Sequence, residues 1–318
     1  MARMRCNVSN HSFTTPVSFT ARISLLLNAL VWSLPVFFIK YLSYSFDPYT
    51  QNFYRSLSAT VALFLYVWLR KREELQRVMG EWRLFVPPAI IFAAAQILYV
   101  EGIYKITASL AAILERGGLV FVVIFSYLLL RDERGRIRSK GFLSGASLSF
   151  AGMIGVILGD GDFSLQGHTA GVLLLITSGT LYGLYTVGIA KATKYLDPLA
   201  ATFAIVASST VIFGVAAAIY GEPGQIFQVD WKINLFLLIS GLIGIAAGHT
   251  LFFINVKKVG NVLTNTFLLL TPLIGVTLAS LFLGERLTWI QIFSGAVLIG
   301  GSYLLVTRGQ ARTFNENH

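Results

Sequence analysis

At 318 residues the chain is long enough for two soluble domains, but 55% of its residues are hydrophobic and only 13% are charged. That balance leaves too little polar surface to wrap a soluble core and places the chain in lipid. The formal charge of +10 does not make a nucleic-acid binder, because the Lys and Arg residues sit in short connections between apolar runs rather than on one exposed face.

The first twenty residues are polar and read as an uncleaved tail; Cys6, the single cysteine, excludes an internal disulfide. Taking about 20 apolar residues as sufficient to cross a bilayer core, ten spans follow, at 22–41, 50–69, 84–104, 107–130, 141–158, 169–190, 199–220, 233–255, 262–283 and 288–306. With a cytoplasmic N-terminus, nineteen of the 25 Lys and Arg residues fall in inside segments and four (Lys40, Lys105, Lys232, Arg286) outside, a strong positive-inside bias. The outer connections GDGDFSLQGH and GEPGQIFQVDW are net negative. The expected localisation is the cell (plasma or inner) membrane, multi-pass, with both termini cytoplasmic.

The stretch from Asn28 to Ser58 returns 150 residues later: Asp47-Pro48 matches Asp197-Pro198, Trp32 matches Tyr182, Phe53 matches Phe203 and Ser58 matches Ser208. Further along, at a spacing of 153, Gln96 matches His249, Lys105 matches Lys258 and Asp132 matches Glu285. Two halves of five spans each must lie upside down relative to one another, because five is odd; such inverted repeats build many secondary transporters. The expected fold is therefore all-α and integral to the membrane, with ten transmembrane helices in two inverted five-helix repeats. The expected boundaries are a tail at 1–20, repeats at 21–160 and 167–308, and a tail at 309–318.

Trp32 and Lys40 in the first span, Asp47-Pro48 and Arg55 entering the second, and the run TPLIGVTLASLFLGERLTWIQIFSGAVLIGG near the end resemble the EamA-like branch of the drug/metabolite transporter superfamily, from about Ile23 to Thr307. The fourth span departs from that pattern, with Leu119 where proline is usual, and Ser33 stands where glycine commonly follows the Trp. The resemblance implies a ten-helix carrier with a central cavity, alternating access, and export or uptake of small metabolites such as amino acids.

Ionisable groups inside spans are costly and persist only with a partner or water. Here they are Arg55, Glu101, Glu115 and Arg116. Two acids and two bases at similar depth are expected to form a network that binds a charged or zwitterionic substrate, or in which a Glu carries a coupling proton. The alternative is that Arg55 pairs with a Glu and locks helices together. Gln96 and His249, matched between the halves near mid-depth, are candidates for substrate contact or, for His249, a proton response. Trp32, Tyr99, Tyr182 and Tyr185 offer flat walls for a cation or an aromatic group, or pack as ordinary core. Asn28, Asn255, Asn265 and Thr266 are expected to hydrogen-bond between helices. Pro35 and Pro272 predict kinks, and Gly152, Gly155, Gly295 and Gly300 predict close helix contacts, with a homodimer interface as their second use.

No HExxH and no Cys/His cluster occurs, so neither a metal nor a cofactor is expected; an embedded enzyme built on His249 is the remote alternative. No Lys/Arg cluster lies at mid-depth to meet a phosphate. The expected function is a secondary transporter, proton-coupled or facilitative and exporting in direction, for an amino-acid-like or amphipathic cationic solute; a low-specificity multidrug exporter is the nearer alternative.

Overall fold

A computed structural model describes residues 19–115, 118, 140–159, 168–192, 196–259, 264 and 267–308. Among these residues the structure is helical throughout, with no strand. In chain order the helices are α1 (Phe19–Leu42), α2 (Pro48–Arg70), α3 (Arg72–Gly80), α4 (Val86–Lys105), α5 (described over 108–115), α6 (Lys140–Leu158), α7 (His168–Ala192) and α8 (Pro198–Tyr220). Next, α9 (Trp231–Gly241) passes through a π-helical turn (Leu242–Ala247) into α10 (Gly248–Val259), followed by α11 (Thr271–Leu283) and α12 (Trp289–Arg308).

Among the described residues, four segments are long and apolar enough to cross a membrane by length and composition: Phe19–Leu42, Val86–Lys105, Pro198–Tyr220 and Trp231–Asn255. Helix α2, expected as a span, is as long but more polar, and the reason is visible in its packing. Gln51, Asn52, Arg55, Ser56 and Ala59 are buried, while Val61, Leu65 and Leu69 face outward. Its polar residues point into the bundle and its apolar face points to where lipid would be, the inverse of a soluble amphipathic helix.

Asp-Pro starts α2 and α8 in the same way. Asp47 accepts from the backbone N–H groups of Tyr49 and Thr50, and Asp197 accepts from those of Leu199 and Ala200; proline follows where its missing N–H costs nothing. The two helices run antiparallel, and each cap grips the far end of the other. The second Asp47 oxygen accepts from Glu222 N at 2.9 Å, just beyond α8, and the second Asp197 oxygen accepts from Lys71 Nζ at 2.5 Å, just beyond α2. Between the ends, Thr60 and Thr210, matched in sequence, share a hydrogen bond of 2.7 Å. Phe53 lies against Gly214, and its sequence match Phe203 lies against Phe64, the match of Gly214.

The same reciprocity recurs elsewhere. Ser149 of α6 and its match Ser302 of α12 are hydrogen-bonded at 3.2 Å. Helices α4 and α7 touch through Gly102 and Gly171, each within 3.1 Å of the other's carbonyl at the position a Cβ would occupy. The corresponding contact of α1 with α10 is made by side chains: Ser24 Oγ donates to Asn255 Oδ1 at 2.7 Å, and Asn255 Nδ2 returns a bond to the Ser24 carbonyl at 3.2 Å. Asn255 thus bridges helices as expected, whereas Asn265 and Thr266 lie outside the described residues.

One glycine expectation needs correction: Gly300 has nothing within 4 Å of the position a Cβ would take and so makes no close helix contact. Pro272 stands in the first turn of α11, directly after helical residues 267–268 and a turn at 269–270, so the helical run is interrupted beside it as expected. Gly152 and Gly155 are used inside the molecule, meeting Leu298 and Ser294 of α12 rather than an outer surface. Pro35 does lie within α1 and packs against Gly244 of the π turn.

One end of the bundle carries a second pair of caps. Lys40 Nζ donates to the carbonyls of Ile103 and Ile106, at 3.2 and 2.7 Å, closing the end of α4. Glu285 accepts from Ala108 N and Ser109 N, at 2.8 and 2.7 Å, opening α5. Gly284, with φ of 70°, provides the left-handed turn that brings Glu285 back onto α5. Glu285→Gln removes the charge and replaces one acceptor with a donor, so it should lower stability by about 1–2 kcal/mol. Thermal unfolding of the purified protein in detergent checks this; an unchanged midpoint would show that the cap contributes nothing.

Candidate functional site

At mid-bundle, rings from four helices form a continuous chain. Phe252 of α10 stacks on Trp32 of α1, with centroids 4.8 Å apart and planes at 16°. Trp32 meets His249 edge-on at 5.7 Å, and His249 meets Phe92 of α4 at 5.4 Å and 86°. Phe92 continues to Tyr185 of α7 at 5.1 Å, and Tyr185 to Tyr182 at 5.5 Å. Gly248 makes the first contact possible: a Cβ there would lie 2.6 Å from the Trp32 indole.

From Phe92 a stripe runs along α4, since Gln96 and Tyr99 follow at spacings that share one helix face. Tyr99 Oη donates to Glu115 Oε2 of α5 at 3.2 Å. One turn beyond Glu115, Gly118 approaches Gly179 of α7, with the position of a Cβ 3.3 Å from Gly179 Cα. Tyr182 lies one turn along α7 from Gly179, so both ends of the stripe return to the α5–α7 contact. Ser178 Oγ fixes α7 on α4 by donating to the Ala95 carbonyl at 2.7 Å.

The sequence-derived candidates therefore fall into groups. Trp32, Tyr182, Tyr185 and His249 share the ring chain; Gln96 and Tyr99 share its α4 wall; Glu115 is joined to Tyr99. Arg116 lies outside the described residues. Glu101 is elsewhere, accepting from Tyr49 Oη near the Asp47 end. Arg55 does not pair with a carboxylate among the described residues: its Nε donates to Ser240 Oγ at 3.0 Å. The expected joint network of Arg55 with Glu101 or Glu115 is corrected accordingly. Equal depth in sequence does not bring side chains together when their helices present different faces.

His249 is 6% exposed, and among the described residues its ring nitrogens have no hydrogen-bond partner. Asn28, expected to bridge helices, is fully buried with neither amide atom bonded. Two ring-chain members escaped the sequence reading. Phe252 is the repeat match of Tyr99 at the spacing of 153, a signal that was present; Phe92 matches Ile245, so the repeat carried no aromatic signal for it.

Among the described residues the bundle is all-helical, with rings from four helices meeting at its centre and apolar side chains on its outside; its class follows from its relatives, which are membrane transporters. Two matches to one family, at residues 20–158 and 169–307, make this specific. The chain belongs to the EamA-like transporter family, within the drug/metabolite transporter superfamily. It is similar to an uncharacterized transporter of Haemophilus influenzae, 25% identical over 289 residues, covering 85% of this chain and 91% of the relative. A second relative, an uncharacterized transporter of Archaeoglobus fulgidus, is 25% identical over 290 residues, covering 89% and 96%. One crystal structure shares the fold with a TM-score of 0.62 at 14% identity, covering 90% of this chain and 96% of that one.

Proposed function

We propose that this transporter is a secondary carrier built from ten spans in two inverted five-helix repeats, with both termini cytoplasmic in the cell membrane. It moves a small amino-acid-like or amphipathic cationic solute outward by alternating access. The reciprocal contacts of α2 with α8, and of Ser149 with Ser302, support the inverted relation: each matched residue meets what its counterpart meets, or meets its counterpart directly.

The observation that carries the substrate reading is the ring chain joined through α4 to Glu115. Trp32, Phe252 and Tyr182 are partly exposed and offer aromatic faces that bind apolar bodies and cations, at about 0.5–2 kcal/mol each when desolvated, with the buried Phe92 and Tyr185 packed behind them. Gln96, Tyr99 and Glu115 offer hydrogen bonds and a negative charge on the adjoining wall. Both sides of the site come from both halves, α1 and α4 from the first, α7 and α10 from the second. A rocking of one half against the other would thus expose the same residues to either side.

Vesicles reconstituted with the protein and loaded with labelled amino acids or organic cations test the reading, with and without a pH gradient. Protein-dependent flux of at least one aromatic or amphipathic solute, enhanced by the gradient, is the expected result. No flux above protein-free vesicles across the whole panel would sink the carrier reading.

A further inference from the structure

Arg55 is the buried charge that the fold leaves unanswered. It is 3% exposed, about a third of the way along α2, and a guanidinium stays protonated in any protein environment. Of its five N–H donors, the Nε–H goes to Ser240 Oγ; the Nη groups have no hydrogen-bond partner, and no carboxylate lies within salt-bridge reach among the described residues. A neutral hydroxyl does not offset the desolvation of a full charge.

Glycines keep the wall beside it bare of side chains. At Gly241 a Cβ would stand 2.1 Å from the Arg55 carbonyl, and at Gly244 a Cβ would stand 3.4 Å from Nη2 and 3.0 Å from Pro35. The guanidinium therefore lies along the bare backbone of the π turn, a helix distortion that recurs at functional sites. Gly248, where Trp32 rests, is one turn further along the same wall, about 6 Å away at helical rise. The hydroxyls of Tyr99 and Tyr104 are the titratable groups close enough to act electrostatically on Arg55. Tyr104 is committed to the Phe46 carbonyl at 2.8 Å, whereas Tyr99 is the residue that holds Glu115.

The repeat provides an internal control. The residue matching Arg55 in the second half is Ile205, 1% exposed within an apolar core cluster. The packing of this position needs a buried side chain but no charge, and the π turn that faces Arg55 has a regular α-helical counterpart at 89–94. The charge and the distorted turn that faces it occur at one of the two repeat-related contacts, and the other has neither.

We infer that Arg55 anchors the carboxylate of the transported solute, with its two Nη groups taking the two oxygens as a fork. Resting on the carrier reading, this names the substrate class: a zwitterion with its carboxylate at Arg55, its ammonium towards Tyr99 and Glu115, and its apolar or aromatic body against Trp32 and Phe252. A plain organic cation would place no counter-charge at Arg55, and a chloride ion would neutralise it without selecting a solute.

The test compares phenylalanine with phenethylamine, its counterpart lacking only the carboxylate, in vesicles carrying the wild-type protein, Arg55→Met or Arg55→Lys, in chloride and in gluconate. Wild type is expected to move phenylalanine about 10–100-fold faster than the amine at equal low concentration, the range of a charge-assisted hydrogen-bonding contact. Arg55→Met should collapse that ratio to near one, and Arg55→Lys should leave a reduced preference, since a lysine keeps the charge but not the fork. Thermal unfolding of each variant accompanies the flux, and if the methionine variant does not fold, the lysine variant decides. Amine moved as fast as acid by wild type, an acid preference unaltered in either variant, or a preference that vanishes only when chloride is withdrawn would overturn the assignment while leaving a carrier. Absence of flux for both solutes, and for the wider panel, would remove the carrier reading and this inference together.

Discussion

Replacing Gly152 by valine should cost on the order of 3–5 kcal/mol, the range of severe overpacking, and should prevent recovery of folded protein. A Cβ at Gly152 would stand 2.4 Å from Leu298 N and 2.7 Å from Leu298 Cα. Both are backbone atoms of α12, so relief requires moving the whole helix, and with it the Ser149–Ser302 hydrogen bond and the similarly tight approach of Gly301 to Ser149 N at 2.4 Å. Gly300, one residue before Gly301, has nothing within 4 Å of the position a Cβ would take. Gly300→Ala should therefore be neutral or slightly stabilising, by up to about 1 kcal/mol from helix propensity. Detergent-solubilised yield and thermal unfolding of the two variants check the pair; a Gly152→Val protein as stable as wild type would show that α6 and α12 do not pack this closely.

Glu115→Gln should abolish accumulation driven by a pH gradient. The substitution keeps an acceptor for the Tyr99 hydroxyl, now bonded at 3.2 Å, and closely preserves the side-chain volume. What it removes is the ability to exchange a proton at a site shared with the solute, and a coupled carrier needs that exchange on each cycle. Labelled-solute accumulation in vesicles with an imposed gradient, against the same vesicles with the gradient collapsed, gives the readout. Gradient-driven accumulation at the wild-type level would remove Glu115 from coupling. In that event His249, the unbonded and nearly buried ring between Trp32 and Phe92, becomes the remaining candidate to carry the proton.

Much of the site was legible in the chain because a repeat supplies two readings of each position. Trp32 and Tyr182, or Gln96 and His249, draw attention by occupying matched places at similar depth; the structure joins Trp32, His249 and Tyr182 in one chain of rings, with Gln96 on the face of α4 that carries Phe92. Arg55 shows the limit of that reasoning. Depth along a span follows from counting residues, but whether Arg55 meets Glu101, Glu115 or Ser240 depends on the rotation of α2 about its axis and on the local widening of the helix at 242–247. Neither is encoded in spacing alone. Phe92 was missed for a related reason, since its role comes from standing between His249 and Tyr185 on two other helices.

By itself the sequence determined that the chain lives in lipid, that it is helical, and that its halves are copies of one another. These are properties of composition and period, which survive without knowledge of any contact. Only the tertiary structure decided which polar groups are answered. It gave Glu285 the start of α5, Lys40 the end of α4 and Glu101 to Tyr49, and among the described residues it left Asn28, His249 and the outer nitrogens of Arg55 without hydrogen-bond partners. In a low-dielectric interior the cost of a polar group is set by the few atoms within about 3 Å of it, and those atoms come from helices far apart in the chain.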